Sequence, residues 1–232
     1  MFDCSKIKAV LWDLDDTLYS RVEAAKATFY GMFREHLYLD RPDSFIEEAV
    51  EYMMTKVKRN SMIHDDAFNA LLEKYPSDKP YIRANCVDYY YDHIVDFVNP
   101  YKEQEIIVKR LREMGIKTAI VTNIPNERTA SQWVKIRALG FDKTFDAIVV
   151  SGDLGIHKPD RRIFDYASEL LGVKNSECLF VGDDPHSDVQ GAINADMDVV
   201  FLDNFGDGEG MFDNPHVHYV RKIEEFFGNI YG

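Results

Sequence analysis

Ile7-Lys-Ala-Val-Leu-Trp-Asp13-Leu-Asp15-Asp16-Thr17-Leu18 is the stretch that decides how this 232-residue chain folds. Its first half is apolar and β-favouring, the pattern of a buried strand. It stops at three carboxylates within four positions, Asp13, Asp15 and Asp16, followed by Thr17. Carboxylates crowded beside a buried strand repel one another and lose hydration. A positive group is therefore expected among them, and a divalent cation held by oxygen ligands is the economical choice. Read alone, the same acids could simply open the next helix; the rest of the chain decides against that.

Downstream, strand and helix patterns alternate. Apolar runs at Lys117–Asn123, Ala147–Gly152, Cys178–Asp183 and Val199–Asp203 read as further strands. Between them lie helical patterns at Lys102–Met114, Glu127–Leu139, Arg161–Leu171 and Ser187–Ala195, the first three stopped by Gly115, Gly140 and Gly172. Asn204 to Asn214, rich in Gly and Asp, reads as a loop, and Lys222–Phe227 as a closing helix. This rhythm implies right-handed crossovers and an α/β fold whose core is a doubly wound, Rossmann-like parallel sheet. Near-continuous apolar strands agree, because such sheets are covered on both faces.

The segment between the first two strands is different. Helical stripes follow one another: Ala24, Ala27, Phe29, Met32, Phe33 and Leu37; then Phe45, Ile46, Ala49, Val50, Met53, Met54 and Val57. Two more carry Phe68, Leu71, Leu72 and Tyr75, and Ile82, Cys86, Tyr89, Tyr90, Ile94 and Phe97. Ser44 and Glu47 have the spacing of a capping box. Helices without an intervening strand predict an inserted helical unit. The expected division is residues 1–18 and 99–232 for the sheet core and 19–98 for the insertion.

Composition narrows the function. An apolar fraction of 46% with 13% aromatics belongs to a folded globular protein. A net charge of −13 argues against a nucleic-acid polymer as partner, since phosphate backbones demand basic surfaces. A small phosphate compound stays open, because a bound cation and one lysine reverse the field locally. Cys4, Cys86 and Cys178 are scattered and odd in number, which fits a reducing cytosol better than a disulfide framework. No apolar leader or bilayer-spanning stretch is read, so the expectation is a cytoplasmic chain without membrane partners.

Polar groups gather at the ends of the expected strands, where open parallel sheets bind ligands. The second offers Thr122 and Asn123, the turn after the third Lys158, and the fourth Asp183 and Asp184, with Asp188 beyond. Singly, each has a plain structural explanation; together they describe a pocket of carboxylates, a lysine and a hydroxyl. In this the chain resembles the haloacid dehalogenase superfamily of hydrolases, most of them magnesium-dependent phosphatases. Asp13-Leu-Asp15-Asp-Thr17-Leu is similar to the family's first motif, Ile120-Val-Thr122-Asn to the second, Lys158-Pro159-Asp160 to the third, and Val181-Gly182-Asp183-Asp184-Pro-His-Ser-Asp188 to the fourth. The helical insertion resembles the α-helical cap of the first subgroup.

The resemblance implies catalytic roles for Asp13, Asp15, Thr122 and Lys158, with Asp13 as nucleophile and Asp15 as proton donor and acceptor. It implies phosphate binding by Thr122, Asn123 and Lys158, and Mg²⁺ held by Asp13, the Asp15 carbonyl, Asp183 and Asp188 or Asp184. The dehalogenating members lack an acid at the position of Asp15, so the implied reaction is hydrolysis of a small phosphomonoester, such as a sugar phosphate or nucleoside monophosphate. A phosphomutase of the same superfamily and a receiver-like phospho-aspartate protein are the competing readings. Tyr19, Ser20 and Arg21 could line an entrance, and Lys56, Lys58 and Arg59 read as a solvated basic helix end, with contact to an anionic substrate tail as the alternative. His64-Asp65-Asp66 reads as a helix start, His157 as a solvated loop residue, and His216 and His218 carry little signal.

Overall fold

Each apolar run becomes a strand of one sheet. The structure is a computed structural model that describes residues 5–57, 65–77, 83–206 and 208–231. In chain order these residues form β1 (Ala9–Trp12), α1 (Arg21–Met32), α2 (Asp43–Lys56), α3 (Asp65–Lys74), α4 (Arg83–His93) and α5 (Lys102–Glu113). There follow β2 (Lys117–Thr122), α6 (Thr129–Ala138), β3 (Ala147–Val150), α7 (Ser151–Leu154), α8 (Arg161–Leu171) and β4 (Cys178–Gly182). The chain closes with α9 (Gly191–Asn194), β5 (Asp198–Leu202), β6 (Val217–Val220) and α10 (Glu224–Tyr231). The described residues fall into two compact units, one formed by those up to Ser20 with those from Asn99 on, the other by those from Arg21 to Val98.

In the first unit six parallel strands run in the order β3-β2-β1-β4-β5-β6. β1 is central, and Trp12 faces Ile120 of β2 and Val181 of β4. From β1 the chain builds outward to β3 on one side and, from β4, to β6 on the other. The order therefore reverses between β1 and β4, the crevice where open α/β sheets take their ligands. All four residues of β1 are buried, as are all five of β4. On one face α8 presents Ile163, Phe164, Ala167 and Leu171 at helical spacing, and Phe164 meets Phe180 of β4 edge-on at 5.1 Å. Fully burying one such ring is worth about 1.5–3 kcal/mol.

Several boundaries differ from the sequence reading. β6 was not anticipated: Val-His-Tyr-Val is short, lies at the sheet edge and is only partly buried, so it carries no clear apolar run. Ser151 and Gly152 turn into α7 instead of ending β3. The helix expected over Ser187–Ala195 is a wide π-type turn, Pro185–Gln190, followed by α9. The expected capping box does not form, because Pro42 occupies the cap position and Asp43 opens α2, leaving Ser44 already inside the first turn. The closing helix starts at Glu224, two residues later than expected.

Within the helical unit, Phe29 stacks on Tyr90 at 5.3 Å and Phe33 at 5.9 Å and meets Phe68 edge-on at 6.1 Å. These rings come from α1, the turn after it, α3 and α4, and explain why the apolar stripes co-fold. Phe97 departs from its stripe: the chain tightens into a 3-10 turn over Ile94–Phe97, and the residue is 41% exposed. Ile82, Lys58, Arg59 and His64 lie outside the described residues, as does the side chain of Asp65.

Candidate active site

β1 ends at Trp12, and the next residue, Asp13, still donates its amide to the Val181 carbonyl at 2.9 Å. That bond aims the Asp13 side chain over the carboxyl edge of the sheet. The chain then tightens: the Leu18 amide reaches the Leu14 carbonyl at 2.9 Å, and Asp16 takes φ 60°, a left-handed conformation that Asp tolerates better than most residues. The turn is held from outside by Asn204, which donates to the Asp16 carbonyl, and by Gln104, which donates to that of Thr17 at 3.1 Å.

Around Asp13 the distant motifs converge. Lys158 Nζ lies 2.6 Å from Asp13 Oδ1 and 2.7 Å from Asp188 Oδ1, and all three residues are buried. Asp188 Oδ2 accepts the Asp184 amide at 3.0 Å. Asp13, Asp183 and Asp188 each bring a carboxylate oxygen within 4.8 Å of the others. Thr17 Oγ1 lies 3.4 Å from Asp183 Oδ1. Asp184 does something else: its side chain caps the following turn, accepting the His186 amide at 2.9 Å and the Ser187 amide.

Three carboxylates facing one ammonium leave an excess of negative charge in a buried space. Burial raises the Asp13 carboxyl to about 8, helped by the charges of Asp188 and Asp15, with Lys158 opposing. Burial by itself would lower Lys158, but the Asp13 and Asp188 carboxylates outweigh it and hold the lysine above its ordinary value. An all-oxygen set with surplus negative charge is the donor chemistry of a hard divalent cation. The residues fit such an ion, and its charge would relieve the repulsion that adds to the effect of burial on Asp13.

Asp15 points to a different neighbourhood. Its Oδ1 accepts from Lys135 Nζ at 2.7 Å and from the Tyr19 hydroxyl, and its Oδ2 from Gln132 Nε2 at 3.0 Å. Burial would raise its carboxyl, but the charge of Lys135 and the hydrogen bonds from Lys135, Tyr19 and Gln132 prevail and hold it at about 2. Gln132 Nε2 also lies 2.6 Å from Thr122 Oγ1, tying the second motif to the first. Gln132 and Lys135 escaped the sequence reading. The available signal was their spacing of three on α6, beside Ile136, which sets all three on one buried helix face.

Asn123 spends its side chain on the chain around Lys158. Its Nδ2 donates to the Lys158 carbonyl and its Oδ1 accepts the Lys158 amide, both at 2.9 Å. Its amide group thus positions the lysine's backbone. Tyr19 lies in the sheet unit with its hydroxyl on Asp15, and the chain passes to the helical unit between Ser20 and Arg21. His157 is exposed. Lys56 lies over the Tyr52 ring at 4.9 Å, His216 pairs with Asp198 at 2.6 Å, and His218 packs near Phe226. No helix among the described residues is long and apolar enough to cross a membrane.

A crevice-edge cluster of acids and one lysine on this sheet defines a class, and comparison with known proteins agrees: the chain belongs to the haloacid dehalogenase-like hydrolases, whose family model matches residues 7–196. Among its relatives is the glyceraldehyde 3-phosphate phosphatase of Methanopyrus kandleri, 35% identical over 196 residues that cover 82% of each chain. The rat N-acylneuraminate-9-phosphatase is 27% identical, covering 93% of this chain and 90% of its own. The fold is also that of the magnesium-bound HAD-hydrolase YfnB from Bacillus subtilis, with a TM-score of 0.71 over 97% of this chain and 99% of that one, at 22% identity.

Proposed function

We propose that this chain is a Mg²⁺-dependent phosphatase that hydrolyses a small sugar phosphate through an aspartyl-phosphate on Asp13. The observation that carries the proposal is Lys158 bridging Asp13 and Asp188 inside a buried, all-oxygen cluster. Asp13 attacks phosphorus, and its oxygen replaces the ester oxygen. Lys158 screens the approach of one anion to another, and the Thr122 hydroxyl, oriented by Gln132, offers a hydrogen bond to the phosphoryl group. Mg²⁺ would be held by Asp13, Asp183, Asp188 and the main-chain carbonyl of Asp15, where it supplies neutralisation of charge on the transferring group.

Asp15 gives a proton to the departing oxygen and then takes one from the water that cleaves the acyl phosphate. At rest Asp15 is ionised; an arriving phosphate adds negative charge nearby, and like charge raises a carboxyl. The presence of this acid supports phosphate-ester cleavage over halide displacement, which needs no proton donor. A triose phosphate is the favoured substrate, on the strength of the Methanopyrus relative. The test is phosphate release from a panel of phosphomonoesters, glyceraldehyde 3-phosphate among them, with Mg²⁺ and with EDTA. Release that EDTA abolishes and Mg²⁺ restores is expected. No release from any member under either condition, or stable labelling by acetyl phosphate, overturns the proposal.

A further inference from the structure

Helix α6 is built inside out at one position. Val134 is 43% exposed, while the next residue, Lys135, is 5% exposed and Gln132 fully buried. A helix that needed only to pack would turn the valine inward and the lysine out. The inverted pair converges on a single group: Lys135 Nζ and Gln132 Nε2 reach the two different oxygens of Asp15, at 2.7 and 3.0 Å. Tyr19 completes the arrangement, its hydroxyl donating to Asp15 Oδ1 and lying 3.2 Å from Lys135 Nζ. Gln132 Oε1 has no partner among the described residues, so the amide is oriented for what its nitrogen donates; reversed, it would set its oxygen against the Asp15 carboxylate.

We infer that Lys135, Gln132 and Tyr19 are a positioning set for Asp15, fixing both carboxylate oxygens so that this acid meets the leaving group of an alkyl phosphate. The inference rests on the reading of Asp15 as the proton-transfer residue. In the step concerned, Asp15 first takes up a proton as the phosphate arrives and its negative charge raises the carboxyl. The bond from phosphorus to the ester oxygen then breaks, the bond from phosphorus to the Asp13 oxygen forms, and that proton passes to the departing oxygen. An alkoxide needs that proton; a nitrophenolate, being a weak base, does not. Loss of positioning should therefore penalise alkyl esters selectively, which loss of general stability would not do.

The experiment compares kcat/KM for glyceraldehyde 3-phosphate and for p-nitrophenyl phosphate, in saturating Mg²⁺, because this constant covers the steps through leaving-group departure. General acid catalysis is worth about 10²–10⁴-fold, so Asp15→Asn should lower the alkyl-to-aryl ratio by about 100-fold or more. Lys135→Met, which keeps the volume and removes the donor, should lower it by about tenfold or more, given that misplacement by 1 Å costs about 100-fold. Tyr19→Phe removes one oxygen and should shift the ratio the same way; it decides the matter if Lys135→Met does not fold. Folded variants that lose both activities in equal proportion, while Asp15→Asn splits them, overturn the positioning role. A flat ratio in Asp15→Asn overturns the reading of Asp15 itself, and the positioning role with it.

Discussion

A single methyl group, added where no substrate need touch, should disable the cluster. Gly182 ends β4 immediately before Asp183, and a Cβ there would lie 2.4 Å from Asp188 Oδ2, 2.5 Å from its Cγ and 2.7 Å from its Cβ. Ordinary contacts between such atoms are about 3.5–4 Å, so Asp188 must retreat by about 1 Å. It is not free to do so. One oxygen is bonded to Lys158 at 2.7 Å and the other to the Asp184 amide at 3.0 Å, so retreat breaks at least one of these. Overpacking of this kind costs about 1–3 kcal/mol, which in a chain of this size lowers Tm by roughly 2–12 °C.

An effect on function should accompany the effect on stability, because Asp188 shares its site with Asp13 and Asp183. Disturbing the partners that orient a ligand costs about 10–100-fold in metal affinity. For Gly182→Ala, the Mg²⁺ concentration giving half-maximal phosphate release should rise by that factor, while circular dichroism remains native. The assay is a Mg²⁺ titration of the release rate, paired with thermal melts with and without the ion. A variant with wild-type half-saturation, rate and melting would refute the claim that Asp188, locked by Lys158, is part of the ion's cage.

Asp13→Asn should lower turnover at least about 1,000-fold, as expected for a lost nucleophile, with far-UV circular dichroism unchanged; near-wild-type phosphatase rates would contradict the assignment. Asn123→Ala removes both bonds to the Lys158 main chain and should cut kcat/KM about tenfold or more by letting that lysine drift, with far-UV circular dichroism unchanged; kinetics like those of wild type would leave the clamp without consequence. The acid of Asp13 is raised from 3.8 to about 8 in the metal-free protein, so between those pH values the folded state holds a proton that the unfolded chain has released. Stability without metal should thus fall as pH climbs from about 4 to about 8, and the rise in Tm on adding Mg²⁺ should be larger at pH 8 than at pH 5, as scanning calorimetry would show; an equal rise at both would deny that proton and ion compete for Asp13.

The parts of this protein that were legible in its sequence are those where one residue type has one physical use. An apolar run that ends in acids can hardly be anything but a buried strand meeting a charged edge, and Asp13 and Asp183 were legible that way; Lys158, in the turn after the third strand, was legible through its likeness to the family's third motif. β6 was illegible because edge strands are relieved of the need to be apolar, and Tyr219 uses its freedom to bond Asp203 at 2.7 Å. Asn123 was legible as a strand-end amide, but not as a clamp, because its partner atoms belong to a main chain that every residue possesses. Lys135 is the sharpest case. In sequence, a lysine three residues after a glutamine reads as a solvated helix face, and only its contact with an acid 120 positions earlier turns that face inward. A buried lysine is tolerated when a paired charge offsets its desolvation; the helix alone could not have said so, because the reason for its orientation lies in the turn after β1.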